Sequence, residues 1–232
     1  MRKFYNKIFI VTLFAIAMAL LESVVVIYLR EILYPDGFRF PLAPIHPHLI
    51  LTEILREAAT LAMLVCIGLL AGKRFSEKFA WFIYSFAVWD IFYYIFLWFL
   101  LGWPESLMTW DVLFLIPATW TGPVITPLIL TMVMILLSWF ILTASEKGKD
   151  TRIERIEWLG LLVGSGIAVA AFMTDYLKHM LKTFAPGELL RTSDPRVMEM
   201  AQQYVPDSFP WLLFAAGIVV LLAPVIRFRS RV

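Results

Sequence analysis

The chain has 232 residues, of which 61% are hydrophobic, 16% aromatic and 16% charged, with a formal net charge of +2 and a mean hydropathy of +0.80. Soluble domains run at about 45–50% apolar and about 25% charged, so this composition points to the membrane. It excludes a disordered chain, a nucleic-acid binder and a disulfide-stapled secreted domain.

A helix needs about 20 mostly apolar residues to cross about 30 Å of hydrocarbon. Six segments qualify, at about 8–32, 49–71, 79–101, 123–143, 158–180 and 210–226. Backbone groups in lipid must pair internally, and the alternation of a membrane β-barrel is absent. The expectation is an all-α integral membrane protein, a single polytopic domain over 1–232.

Arg2, Lys3 and Lys7 precede span one. Ala17-Met18-Ala19 looks like a signal-peptidase site, but the apolar run continues to Leu33, so an uncleaved first span is expected. Glu22 falls near its middle, and Arg30 and Glu31 close its far end. Tyr34 to His48 follows, with Pro35, Pro41, Pro44 and Pro47. Proline fixes φ and removes a donor, so this stretch reads as a rigid, non-helical strap. His46 and His48 lie among its prolines.

Span two carries Glu53, Arg56 and Glu57, which share one helix face within about 100°. Cys66 sits in its apolar run and reads as an inert buried thiol. As the one cysteine in the chain, it rules out an internal disulfide or a Cys-rich metal site. In span three Asp90, Tyr93 and Tyr94 share a face, and the aromatic run from Trp89 to Phe99 reads as lipid-facing. Residues 103–122 are apolar but too short and proline-broken to span. Trp103, Trp110 and Trp120 suggest a short interfacial or re-entrant segment. Asp111 there either lines a cavity mouth or caps a short helix. Pro117, Pro123 and Pro127 make the start of span four irregular.

Gly160-x-x-x-Gly164, with Gly166, Ala168 and Ala170, predicts close packing of span five. Asp175, Lys178 and His179 share a face at its end. The loop 181–209 carries Pro186-Gly187 and Ser193-Asp194-Pro195, with a short surface helix expected around Arg196 to Tyr204. No internal repeat is visible, which argues against an inverted-repeat transporter.

Orientation follows from Lys and Arg. The clusters Arg2/Lys3/Lys7, Lys73/Arg74/Lys78, Lys147/Lys149/Arg152/Arg155 and Arg227/Arg229/Arg231 fall on one side of a six-span chain, while Gly102 to Gly122 has neither residue type. Both termini are therefore expected in the cytoplasm, with a multi-pass chain in the cell (inner) membrane. Lys182, Arg191 and Arg196 lie in a longer outward loop, where charge weighs less.

Ionisable residues inside spans are costly and mark function. Glu22, Glu53, Glu57 and Asp90 are expected to converge, with Arg56 as counter-charge, in a pocket open to the outer side. Its walls would be spans one, two, three and five, roofed by the strap and the Trp-rich piece. All three histidines are outward and the inner half-spans are apolar, which weakens a channel or transporter.

Two chemistries fit such a pocket. One is a metal site, with Glu22, Glu53, Glu57, Asp90, His46 and His48 as candidate ligands for Fe, Zn, Mn or Cu. No Glu-x-x-His or Met-rich copper motif supports it. The other is metal-free acid–base chemistry, or binding of a lipid head or quinone. There Asp90, Glu57, Tyr93 and Tyr94 are the candidate catalytic residues. Asp175 and His179 form a secondary polar site, and His179 supplies at most one haem ligand. Glu53-x-x-x-Glu57 resembles the paired-glutamate motif of undecaprenyl-pyrophosphate phosphatases over five residues. That family's Pro-Gly-x-Ser-Arg-Ser type loop is missing, so its function is not carried over.

The leading reading is a small metal-dependent or redox membrane enzyme in the lipid bilayer. The alternative is a non-catalytic subunit beside other membrane chains, with Arg56 paired to Glu53 and Glu57 as structural charges. A transporter is third.

Overall fold

A computed structural model describes residues 2–44, 46–116, 118–188 and 195–232. The chain is mostly helical, at 72%. In order the elements are α1 (Arg2–Leu33), α2 (Pro47–Ala71), α3 (Phe75–Leu101), β1 (Trp110–Phe114), β2 (Trp120–Pro123), α4 (Ile125–Glu146), α5 (Arg155–Met180), α6 (Pro195–Gln202) and α7 (Trp211–Arg231). Six of these helices, all but α6, are long and apolar enough to cross a membrane. Large apolar side chains such as Phe9, Leu70, Phe99 and Leu212 stay exposed on them, as expected where lipid replaces water as the outer solvent.

Helix ends follow local chemistry. Pro47 opens α2 at a position where its missing N–H costs nothing. Gly102 closes α3 in the left-handed conformation at φ 67°, its N–H donating to the Trp98 carbonyl at 2.9 Å. Glu154 and Glu157 form a reciprocal capping box at the start of α5.

The helix α3 is central and packs on α1, α2 and α4, while α7 bridges α4 and α5. The α5–α7 contact is the close one that the glycines predict. A methyl group on Gly164 would meet the Leu221 side chain at 2.7 Å, and one on Gly160 would meet Pro224 at 3.2 Å. Gly166 faces open space and takes no part. Pro224, inside α7, is buried in this seam.

The two ends of the bundle are held differently. One end gathers both termini. Lys7 Nζ donates to the Ala71 carbonyl at 2.8 Å, Ser76 and Thr151 hydroxyls meet at 2.9 Å, and Arg231 reaches Glu157 at 2.9 Å. Lys149 Nζ bonds the Val232 oxygen. The other end is closed by residues 34–44 and by the β1–β2 pair.

That pair adds a small sheet to the all-α expectation. Residues 103–122 include an antiparallel hairpin, with Asp111 opposite Gly122, Val112 opposite Thr121 and Phe114 opposite Trp120. Aromatic and β-branched residues favour a pleated, half-buried surface. An irregularity between Val112 and Phe114 turns the strand, the device that re-aims side chains beside a site. Gly122 lets the hairpin sit against α5, since a methyl group there would lie 3.3 Å from the Phe172 ring. Asp111 therefore sits on a strand and caps no helix.

Two further expectations are overturned. Cys66 is exposed on the outside of the bundle. Trp89, Tyr94 and Leu97 of the aromatic run are buried, and Ile95, Trp98 and Phe99 are exposed. The expected surface helix is α6. Pro117, Arg191, Ser193 and Asp194 lie outside the described residues.

Candidate functional site

Regular stripes on several helices face one cavity of about 510 Å³. On α1 the stripe is Glu22, Val26, Leu29, Arg30 and Leu33. On α2 it is Glu53, Arg56, Glu57 and Thr60. On α3 it runs from Phe79, Phe82, Ile83 and Phe86 to Asp90, Tyr93 and Tyr94. These spacings of three, four and seven residues mark single helix faces. The hairpin contributes Asp111 and Trp120, α4 contributes Leu130, Met134 and Leu137, and α5 contributes Leu161, Ala168 and Phe172. The helix α4 is thus a wall that the sequence reading did not include.

The α3 stripe divides the cavity into two tiers. Phe79, nearest the end that gathers the termini, and Asp90 are eleven residues apart on one helix, about 16 Å along its axis. The lower tier is walled by Phe82, Leu130, Met134, Leu137, Leu161 and Leu221 and is apolar apart from Thr131 and Ser165. The upper tier holds every ionisable residue of the cavity: Glu22, Arg30, Glu53, Arg56, Glu57, Asp90, Tyr93, Tyr94 and Asp111.

Most of these charges hold elements together. Arg56 pairs with Glu22 across the α1–α2 interface and with Glu53 at 2.7 Å. Thr60 donates to Glu22 at 3.2 Å. Glu57 lies in the field of Arg56, as expected, but among the described residues no hydrogen bond joins the two. Its carboxylate accepts the Leu115 N–H at 3.0 Å, fastening the hairpin to α2. Arg30 pairs with Asp111 at 3.1 Å, fastening the hairpin to α1, and Tyr94 donates to Asp111 at 3.3 Å. The Arg30 guanidinium also stacks 3.7 Å from the Trp103 ring centre and 4.3 Å from that of Phe38.

Asp90 differs from its neighbours. It is 9% exposed, and its Oδ2 has no hydrogen-bond partner among the described residues. The same holds for Trp89 Nε1, Trp120 Nε1 and Arg30 Nη1, and all four residues line the cavity. Buried polar atoms are nearly always hydrogen-bonded, so four unpaired atoms on residues lining one cavity are unusual. Tyr93 stands in the combined field of Asp111, Arg30, Arg56 and Asp90.

The structure brings Glu22, Glu53, Arg56, Glu57, Asp90, Tyr93 and Tyr94 to one cavity, and it leaves out His46, His48, Asp175 and His179. His46 and His48 are exposed, with their Nδ1 atoms 2.6 Å apart. Among the described residues no three His, Cys, Asp or Glu side chains are gathered where they could hold a metal ion. The expected metal site built from Glu22, Glu53, Glu57, Asp90, His46 and His48 therefore has no support.

The Asp175 and His179 pair is a structural corner. Asp175 accepts from the Tyr204 hydroxyl at 2.7 Å, the Asp207 N–H at 3.1 Å and the Ser208 N–H at 3.4 Å. His179 Nε2 meets the Met200 carbonyl at 3.0 Å. Burial pushes the Tyr204 phenol well above the usual tyrosine range. It stays a neutral donor to Asp175 and also meets the Thr121 hydroxyl at 2.8 Å.

Arg30 and Trp89 are cavity residues that the sequence reading did not place in the site, whereas Asp111 stood at its mouth as one of two alternatives and Trp120 in its roof. The signal for Arg30 was its spacing of eight from Glu22, which keeps both on one helix face. Asp111 needed the strand register, which its apolar neighbours hid. Comparison with protein-family models, with curated proteins and with solved structures finds no match to this chain.

Proposed function

We propose that this is a multi-pass protein of the cell membrane that holds one single-tailed amphiphile inside its helix bundle, with the polar head beside Asp90. The observation that carries this reading is the two-tier cavity. One tier is largely apolar and about 16 Å deep, and the other is lined by polar residues, several of which carry a buried, unpaired hydrogen-bonding atom. Protein interiors hold few voids larger than a water molecule, and a volume of about 510 Å³ lies within the range of small-molecule pockets. It suits one chain and one head, not a two-chain phospholipid.

The roles divide accordingly. Asp90 meets the head and is the acid–base group, with Tyr93 at its side. Glu57 and Tyr94, expected to be catalytic, hold the hairpin that roofs the head. Glu22, Glu53 and Arg56 hold α2 against α1. Both termini lie in the cytoplasm, in keeping with the Lys and Arg clusters, so the head tier opens toward the outer face. A reporter fused after Lys149 is then active only inside the cell, and an outside signal would reverse the orientation.

Native mass spectrometry of the chain released from detergent tests occupancy. The expected result is one bound amphiphile per chain, lost in Met134→Trp and in Leu130→Trp, which fill the apolar tier. Equal occupancy in the wild type and both variants would overturn the reading.

A further inference from the structure

The unpaired atoms of the upper tier describe the head that fits them, given that the cavity takes an amphiphile. Trp89 Nε1, Trp120 Nε1 and Arg30 Nη1 are donors, buried and without partners among the described residues. They call for acceptor oxygens. An ammonium head has donors only and leaves all three unpaired. A phosphate head supplies oxygens but meets the wrong field. The tier holds five carboxyls, Glu22, Glu53, Glu57, Asp90 and Asp111, against two guanidiniums, Arg30 and Arg56, and added negative charge in a low-dielectric site is costly.

The head is therefore neutral, with at least two oxygens. Asp90 Oδ2 adds a further demand, for a group that can share a proton with a carboxyl. The walls add a shape. The Phe114 ring lies 6.3 Å from that of Trp89 and 5.4 Å from that of Trp120, and Phe86 stacks on it at 6.3 Å. Aromatic walls of this kind favour a flat ring by offset or edge contact.

We infer that the head is a quinone-type ring, as quinone or quinol, carried on a single alkyl or prenyl tail that fills the tier from Asp90 down to Phe79. Its two oxygens sit para to one another. One accepts from at most two of the Trp89, Trp120 and Arg30 donors, and the other shares a proton with Asp90.

The test uses the full chain in lipid nanodiscs with decyl-benzoquinone as the probe, its reduced form as a second probe, and monodecanoyl glycerol as a single-tailed comparator without a ring. The expected result is saturable binding of decyl-benzoquinone at one site per chain. Trp89→Phe and Trp120→Phe each remove one donor and keep the ring, so each should weaken binding roughly five- to tenfold. Thermal melts of both variants check that they fold, and either one suffices if the other does not. Met134→Trp should abolish binding.

If monodecanoyl glycerol binds and decyl-benzoquinone does not, the ring assignment is overturned and the amphiphile reading stands. If neither probe binds, both are overturned. Quinone uptake equal in the wild type, Trp89→Phe, Trp120→Phe and Met134→Trp would mean partition into the bilayer and would overturn the assignment. Competition by decyl phosphate as strong as by the quinone would overturn the charge argument.

Discussion

Asp90 and Asp175 are equally buried aspartates, at 9% and 8% exposure, and they sit in opposite chemical situations. Asp175 accepts from a phenol and two backbone N–H groups, tying α5 to residues 204–208. Asp90 lies on the cavity wall with one oxygen unpaired among the described residues. Burial alone therefore does not mark a functional carboxyl. Saturation of its hydrogen bonds separates the structural aspartate from the one that can receive a ligand.

The sharpest way to break that comparison is to remove both groups and compare stability with occupancy. Asp175→Ala leaves three donors without their acceptor and should cost about 3–5 kcal/mol in stability. Denaturant unfolding in detergent measures this, and cavity occupancy should be unchanged in the folded fraction. A loss of under about 1 kcal/mol would place Asp175 with Asp90 instead.

Arg56→Met is next in size. It strands Glu22 and Glu53 beside each other and should cost roughly 3 kcal/mol, because breaking a buried pair leaves uncompensated charge. Adding Glu22→Gln to Arg56→Met should recover part of that loss. No recovery would mean that Arg56 acts through something other than its ion pairs.

Asp90→Asn should change stability by no more than about 1 kcal/mol, since it breaks no bond that holds elements together. Ligand occupancy should fall. A variant as unstable as Asp175→Ala would end the distinction drawn between the two carboxyls.

The smallest effect belongs to the opposite end of the bundle. Glu154 pairs with Arg227 at 2.8 Å, with side chains 40% and 55% exposed, and such pairs contribute little. The Arg227 hydrogen bond holds the Glu154 carboxyl below its usual range. A folded-state pKa below the unfolded one gives stability that is present above the ordinary glutamate range and lost as pH falls through the lowered value. Glu154→Gln should slightly flatten the acid limb of a stability-against-pH curve, and added salt should do the same to the wild type. A large effect would mean that this end carries more than surface pairing.

The six spans and the gathering of Glu22, Glu53, Arg56, Glu57 and Asp90 were legible from composition and helix spacing alone. Apolar run length and the 3.6-residue period are local properties, and a midplane charge has few places to go but inward. Three features were not legible. The hairpin was hidden because its residues are as apolar as the helices beside it, so period and composition gave no contrast. The choice of partners was hidden because Glu53 and Glu57 flank Arg56 on one helix face, and only the packed hairpin gives Glu57 the Leu115 N–H. The metal reading counted His46 and His48 because both fall on the outward side, whereas at the start of α2 both are exposed and away from the cavity.

The most direct test of the account is a single-particle density map of the chain in nanodiscs prepared from its native membrane. One continuous tubular density is expected from the Phe79 level up to Asp90, ending in a compact head within hydrogen-bond reach of Asp90, Trp89 and Trp120. Discrete water peaks alone, or side chains of the apolar tier collapsed into that volume, would contradict it.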